Sequence, residues 1–271
     1  MNKFQRKLLK IQEKNNSLVC VGLDTDLEKI PKHLLDKADS IFTFNKAIID
    51  TTTDLVCAYK PNIAFYEAQG ISGLKSLKKT IDYLRKKYSE IPIILDAKRA
   101  DIDSTNLGYI KMAFEFLQVD AITLHPYLGK QALMPFLTLK DKFFFILCRT
   151  SNPGAGEFQD LRVAPNLKLY QYLAKKVTKE WNFNHNCGLV VSATYPEELV
   201  KIRKIAGKMI FLIPGVGVQG ADVEKTVKAA QSGNFLINSS RGIIYASSGR
   251  DFAQKAREET VKLRNLINKY R

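Results

Sequence analysis

The sequence predicts an α/β protein, a (β/α)8 TIM barrel with an extra N-terminal helix, and three observations predict it. Eight short apolar runs rich in β-branched and aromatic residues recur along the 271 residues, and each is followed by a longer stretch of helical periodicity. Eight such β-then-α units are all compatible with right-handed parallel crossovers. Polar and charged residues collect just after the apolar runs, at the strand ends where barrels of this kind carry their active sites. The length and the 45% hydrophobic content allow one large core. No Gly/Ser-rich, Pro-rich or low-complexity segment divides the chain, so residues 1–271 are expected to form a single domain.

Taken in order, the amphipathic segment Lys3–Lys14 is the extra helix. The strands expected are Ser17–Asp24, Leu55–Asn62, Pro92–Lys98, Ala121–Pro126, Phe143–Arg149, Cys187–Ala193, Phe211–Gly215 and Phe235–Arg241. Their ends read Gly22-Leu23-Asp24, Tyr59-Lys60-Pro61-Asn62, Asp96-Ala97-Lys98, His125-Pro126-Tyr127, Arg149-Thr150-Ser151-Asn152, Pro214-Gly215-Val216-Gly217 and Ser240-Arg241-Gly242. A random surface would scatter such groups along the helices instead.

The densest of these ends is Asp96-Ala97-Lys98-Arg99-Ala100-Asp101-Ile102, which follows the buried-strand pattern Ile91-Pro92-Ile93-Ile94-Leu95. Side chains two apart on a strand share a face, so Asp96 and Lys98 project together, and Asp101 falls in the following loop. Taken alone, this is a strand-end salt bridge worth about 0 to 1 kcal/mol. The convergence of Asp24, Lys60, Asp96 and Lys98 at one rim argues for chemistry instead. The last two units suit a phosphate: glycines allow close backbone approach, Gln219 offers an amide donor and Arg241 a guanidinium fork. Gly-x-Gly-x-x-Gly over Gly215–Gly220 is by itself a weak signal, and it sits in the wrong unit for a dinucleotide fingerprint.

Composition excludes other classes. Cys20, Cys57, Cys148 and Cys187 lie far apart in apolar runs with no C-x-x-C pair, so buried free thiols are expected rather than disulfides or a metal site. His33, His125 and His185 are equally scattered, and no metal is expected. No apolar run is long enough to span a membrane and no signal-peptide pattern opens the chain, so a soluble, cytoplasmic protein is expected. The net charge of +15, from 42 Lys+Arg against 27 Asp+Glu, raises nucleic-acid binding as a rival. The lysines are spread over helices, as in Leu74-Lys75-Ser76-Leu77-Lys78-Lys79, without an aromatic-interleaved stripe, and read as a solvated face with no nucleic-acid or membrane partner.

The stretch 96–102, together with Ala58-Tyr59-Lys60-Pro61-Asn62-Ile63-Ala64-Phe65-Tyr66-Glu67, closely resembles the orotidine 5'-phosphate decarboxylase family, in its longer, second bacterial type. Val21-Gly22-Leu23-Asp24, Phe44-Asn45-Lys46-Ala47-Ile48, Asn152-Pro153-Gly154-Ala155 and Pro214-Gly215-Val216-Gly217 with Gln219 extend the resemblance over nearly the whole chain. It implies a cofactor-free barrel homodimer that converts orotidine 5'-monophosphate to uridine 5'-monophosphate, with active sites at the dimer interface. Carried over, it makes Lys60, Asp96, Lys98 and Asp101 a charged tetrad, with Asp101 supplied by the other subunit and Lys98 the proton donor. Ile102 and Thr105 accompany Asp101, Asp24 holds ribose hydroxyls, Ser151 meets the pyrimidine edge, Pro214 borders the base, and Gln219 and Arg241 take the phosphate. Ser240 stands where the family often has a glycine before the phosphate arginine, and with Asn62 it is placed among the substrate-binding residues.

The chemistry implied fits these residue types. Loss of CO2 from C6 of the pyrimidine leaves carbanion character that only a fixed nearby cation can stabilise. Lys98 supplies both charge and proton, and carboxylates at Asp96 and Asp101 favour its ammonium form. An anionic Asp96 beside the substrate carboxylate repels it in the ground state, a repulsion that ends as CO2 departs. A metal-assisted sugar-phosphate β-keto acid decarboxylase shares the Asp-x-Lys-x-x-Asp core and is the rival on the same barrel. That relative is expected to carry an acidic metal ligand where Lys60 stands.

Overall fold

The computed structural model describes residues 1–216 and 222–271. Eight strands form one parallel sheet: β1 Val19–Leu23, β2 Ala58–Pro61, β3 Ile94–Arg99, β4 Ala121–Leu124, β5 Phe143–Arg149, β6 Cys187–Val191, β7 Phe211–Pro214 and β8 Phe235–Ser239. Their spatial order is β2-β1-β8-β7-β6-β5-β4-β3. The two ends of that order meet through parallel bridges Tyr59–Ile93 and Asn62–Asp96 and the bond from the Tyr59 N–H to the Pro92 carbonyl at 3.0 Å. The sheet therefore closes on itself, and the fold is the expected (β/α)8 barrel.

The helices that return each strand to the next are α2 Ser40–Thr52, α3 Gly70–Lys87, α4 Asp103–Ile110, α5 Gly129–Leu137, α6 Leu169–Lys176, α7 Pro196–Ala206 and α8 Val223–Ala230, with α9 Phe252–Tyr270 after β8; α1, Lys3–Lys14, precedes the barrel. Local chemistry sets their starts. Asn2 and Gln5 form a reciprocal capping box on α1, at 3.0 and 2.8 Å, Asp39 and Asp222 cap α2 and α8, and Pro196 opens α7. α7 stops at Gly207, whose φ of +57° glycine tolerates.

α1 covers the end of the barrel where the strands begin. Phe4 stacks on Phe143 at 4.7 Å, the Gln12 amide donates to the Phe235 carbonyl, and Lys7 pairs with Asp120, which in turn accepts from the Ile93 N–H. That seat leaves the opposite, C-terminal end of the strands open. Leu8 and Ile11 are buried beneath the helix.

β5 has the expected bounds, and most of the other strands are shorter than the sequence suggests, for physical reasons. β4 ends at Leu124 because Pro126 has no N–H to continue the ladder, and β7 ends at Pro214 because Gly215 turns to φ +101°. Several small elements carry too few residues for a periodic signal: the antiparallel ribbon Arg162–Ala164 with Leu167–Lys168, and the short helices Ile63–Glu67, Gly156–Gln159 and Arg241–Ile244. All four cysteines are buried and free, as expected. Among the described residues no helix is long and apolar enough to cross a membrane.

Candidate active site

At the open end of the barrel the closure between β2 and β3 brings Lys60 and Asp96 together. The Lys60 ammonium donates to Asp96 Oδ2 at 2.8 Å, and the Lys98 ammonium donates to Oδ1 at 2.6 Å. Lys60 is 4% exposed and Asp96 9%, whereas the Lys98 side chain is half-exposed. Burial by itself would push the Asp96 carboxyl up; the two ammonium groups outweigh it and hold Asp96 well below the usual carboxylate range. Burial likewise opposes the charge on Lys60, and the carboxylates of Asp96 and then Asp24 push it above the ordinary lysine range. The site is therefore a carboxylate clamped between two cations.

Lys98 leaves the strand in a left-handed conformation, φ +46°, where the register of β3 on β4 slips between Leu95 and Arg99. This irregularity in the ladder turns the Lys98 side chain out of the regular pleat. The backbone N–H groups of Ala97 and Lys98 are taken by Thr123 Oγ1, at 3.1 and 2.9 Å.

Two adjoining cavities open over this cluster. One, of about 280 Å3, is lined by Asp24, Lys60, Asn62, Asp96, Ser151 and Pro214 and by the β8 end from Asn238 to Gly242. The other, of about 440 Å3, shares Lys60, Asp96, Ser151 and Pro214 and adds Lys98 and Thr123. Arg241 is exposed at the rim, and Ser240 Oγ donates to the Gly22 carbonyl at 3.1 Å. A Cβ at Gly22 would overlap the Ser240 side chain, so this glycine makes room for that serine. Asn62 caps the short helix that follows it, accepting from the Ala64 N–H. Asp24 Oδ1 and Asn238 Oδ1 are both buried with no hydrogen-bond partner among the described residues. Buried acceptors of this kind are satisfied by a ligand or by water.

With this geometry in hand, the comparisons with known proteins are specific. The family described as "Orotidine 5'-phosphate decarboxylase / HUMPS family" matches over residues 17–256. The orotidine 5'-phosphate decarboxylase of Cellvibrio japonicus is 48% identical over 98% of both chains. The chain belongs to the orotidine 5'-phosphate decarboxylase family. A second decarboxylase of that name, from Herpetosiphon aurantiacus, is 50% identical over 94% of both chains. The solved OMP decarboxylase of Leishmania donovani superposes with a TM-score of 0.81 at 36% identity, covering 98% of this chain and 99% of that one.

For this member of the decarboxylase family, the expected site residues fall into three groups. Asp24, Lys60, Asn62, Asp96, Lys98, Ser151, Pro214, Ser240 and Arg241 line the two cavities. Asp101, Ile102 and Thr105 do not join Lys98 within one chain. Asp101 Oδ1 accepts from the Ile102 N–H, and the Asp101 backbone is clasped by Asn106, while Ile102 and Thr105 are exposed. Gln219 lies outside the described residues. Arg149, also at a strand end, is buried in ion pairs to Glu198 and Asp160 and braces the loop after β5.

Thr123 and Asn106 are contributors that the sequence reading did not single out, and Asn238 entered it only as the start of the phosphate-suited stretch Asn238-Ser239-Ser240-Arg241-Gly242. A signal existed for two of them. Thr123 interrupts Ala121-Ile122-Thr123-Leu124, and Asn238 follows Phe235-Leu236-Ile237, each a polar residue in a strand whose neighbours are fully buried. Such a position demands a polar partner inside the barrel.

Proposed function

We propose that the protein converts orotidine 5'-monophosphate to uridine 5'-monophosphate and CO2 in the cytoplasm, and that Lys98 protonates C6. The observation that carries this reading is the Lys60–Asp96–Lys98 chain on the floor of a cavity whose far rim bears Arg241. Arg241 and Gln219 take the phosphate dianion, Ser151 and Pro214 meet the base, and Asp24 and Asn62 face the ribose. Binding energy from the remote phosphate holds the ring over the charged floor. The C6–carboxylate bond then breaks, its electron pair stays on C6, and the Lys98 ammonium delivers a proton there. CO2 leaves as a neutral molecule, and Lys98 regains its proton from solvent.

Asp96 has two tasks in this scheme. Its charge anchors the Lys98 ammonium next to C6, and it stands against the substrate carboxylate before that group departs. Lys60 keeps Asp96 ionised throughout. The same lysine disfavours a metal-assisted sugar-phosphate decarboxylase, because a cation already fills the place on β2 where that chemistry is expected to have an acid. Asp101, Ile102 and Thr105 complete the site from the other subunit of a homodimer.

Ultraviolet monitoring of orotidine 5'-monophosphate with wild-type protein in excess EDTA, beside Lys98→Ala, tests this directly. Turnover by the wild type and a loss of more than about 10³-fold in kcat for the variant is the expected result. A folded wild type that leaves the substrate intact overturns the assignment.

A further inference from the structure

We propose that Thr123 is a positioning residue of the decarboxylation: one hydroxyl fixes both the backbone turn from which Lys98 reaches the substrate and the carboxylate that holds its ammonium. The proposal rests on the assignment of Lys98 as proton donor and concerns a residue that does not touch the reacting atoms. Thr123 is 1% exposed, in the middle of β4. Its Oγ1 accepts from the Ala97 N–H at 3.1 Å and the Lys98 N–H at 2.9 Å, and donates to Asp96 Oδ1 at 2.9 Å. The Lys98 ammonium donates to that same Asp96 oxygen at 2.6 Å. Thr123, the Lys98 backbone, the Lys98 side chain and Asp96 thus form a closed ring of hydrogen bonds.

The ring has little freedom. A hydroxyl has one donor and two acceptor positions, and here all three are used. Because Oγ1 accepts twice from amides, its hydrogen is directed onto Asp96, whose Oδ1 accepts from both Thr123 and Lys98. The two amides also need it. At the slipped register between Leu95 and Arg99 their ladder partners on β4 are displaced, and a buried N–H without a partner is costly. Lys98 at φ +46° holds a backbone conformation that is strained for a non-glycine residue. Such a conformation persists only where its surroundings over-determine it, and Thr123 supplies that determination.

Removing the hydroxyl while keeping the shape isolates this role. In Thr123→Val the two amides lose their acceptor, Asp96 loses one donor, and Lys98 relaxes toward ordinary strand geometry. A displacement of about 1 Å at a reacting group costs about 10²-fold in rate. The groups that bind phosphate, ribose and base do not depend on the ring.

The experiment compares wild type, Thr123→Val, Thr123→Ser and Lys98→Ala in three measurements: kcat and KM for orotidine 5'-monophosphate, affinity for uridine 5'-monophosphate, and hydrogen exchange of the 97 and 98 amides by NMR. Expected for Thr123→Val are a kcat lower by about 10²-fold, KM and product affinity within about threefold of wild type, and exchange at those two amides faster by at least tenfold. Thr123→Ser should restore all of these. Wild-type kcat in Thr123→Val, a parallel fall in product affinity, unchanged exchange at 97 and 98, or failure of Thr123→Ser to rescue would each overturn the proposal. Should Thr123→Val not fold, Thr123→Cys, with its weakly bonding thiol, takes its place. The exchange measurement needs no substrate, so a wild type inert toward orotidine 5'-monophosphate would sink the functional assignment and still leave the ring to be judged.

Discussion

At the scale of single residues the buried carboxylate sets the acid response. Asp96 has a folded-state value depressed from its ordinary 3.8, so its contribution to stability is present above about pH 4 and is lost as pH falls below that toward the depressed value. Lys60 is shifted up from 10.5, so its contribution is present below that value and is lost only as pH rises through the raised one. The pair therefore leaves stability flat across the neutral range. Urea denaturation of wild type and Asp96→Asn should show a constant gap from pH 5 to 8 that narrows below pH 4; a gap that changes near neutrality would contradict the assigned shifts. Removing one member of a buried pair strands the other. Lys60→Ala should lose about 3 kcal/mol by the same measurement, the low end of the usual range because Asp96 keeps Lys98 and Thr123.

At the scale of elements the two ends of the barrel divide stability from chemistry. Phe4 on α1 packs against Phe143 and Phe145 at the closed end. Phe4→Ala should cost about 3–5 kcal/mol in urea denaturation and leave KM and kcat unchanged at 25 °C. Arg203 on α7 belongs to the same end. It is buried against the Phe211 ring, donates to the carbonyls of Gly207, Met209 and Asn234, and is pushed down to about 10 by burial. The eight strands, α1 and the ring of polar strand ends were all legible in the sequence, because each rests on periodicity or on the alternation of side chains along a strand. The seat of α1 was not, since amphipathicity says that a helix has an apolar face without saying which end of a barrel receives it. Nor was the slipped register at Lys98. It arises from the pairing of β3 with β4, a contact between residues far apart in sequence, and Thr123 acquires its meaning only through that pairing.

At the scale of the whole molecule the proposed tetrad of Lys60, Asp96, Lys98 and Asp101 is not assembled within one chain. Asp101 makes no ion pair among the described residues, and beside it Ile102, Leu107, Tyr127 and Leu128 are 62, 52, 82 and 45% exposed. Such exposure suits the proposed homodimer, which would cover it. Asp101→Ala and Lys98→Ala should each be nearly inactive, and mixing them should restore up to about a quarter of wild-type activity through hybrid dimers with one intact site. Hybrid dimers that form, as seen by native mass spectrometry, and stay inert would remove Asp101 from the shared site. The backbone at Lys98 also bears on how such a protein persists under selection. Glycine or asparagine adopts φ +46° with far less strain than lysine. A library of position-98 variants sorted only for heat tolerance should therefore enrich chains that outlast the parent and have lost its chemistry. Under the proposed role, lysine is retained there for turnover in addition to whatever its pair with Asp96 contributes to folding.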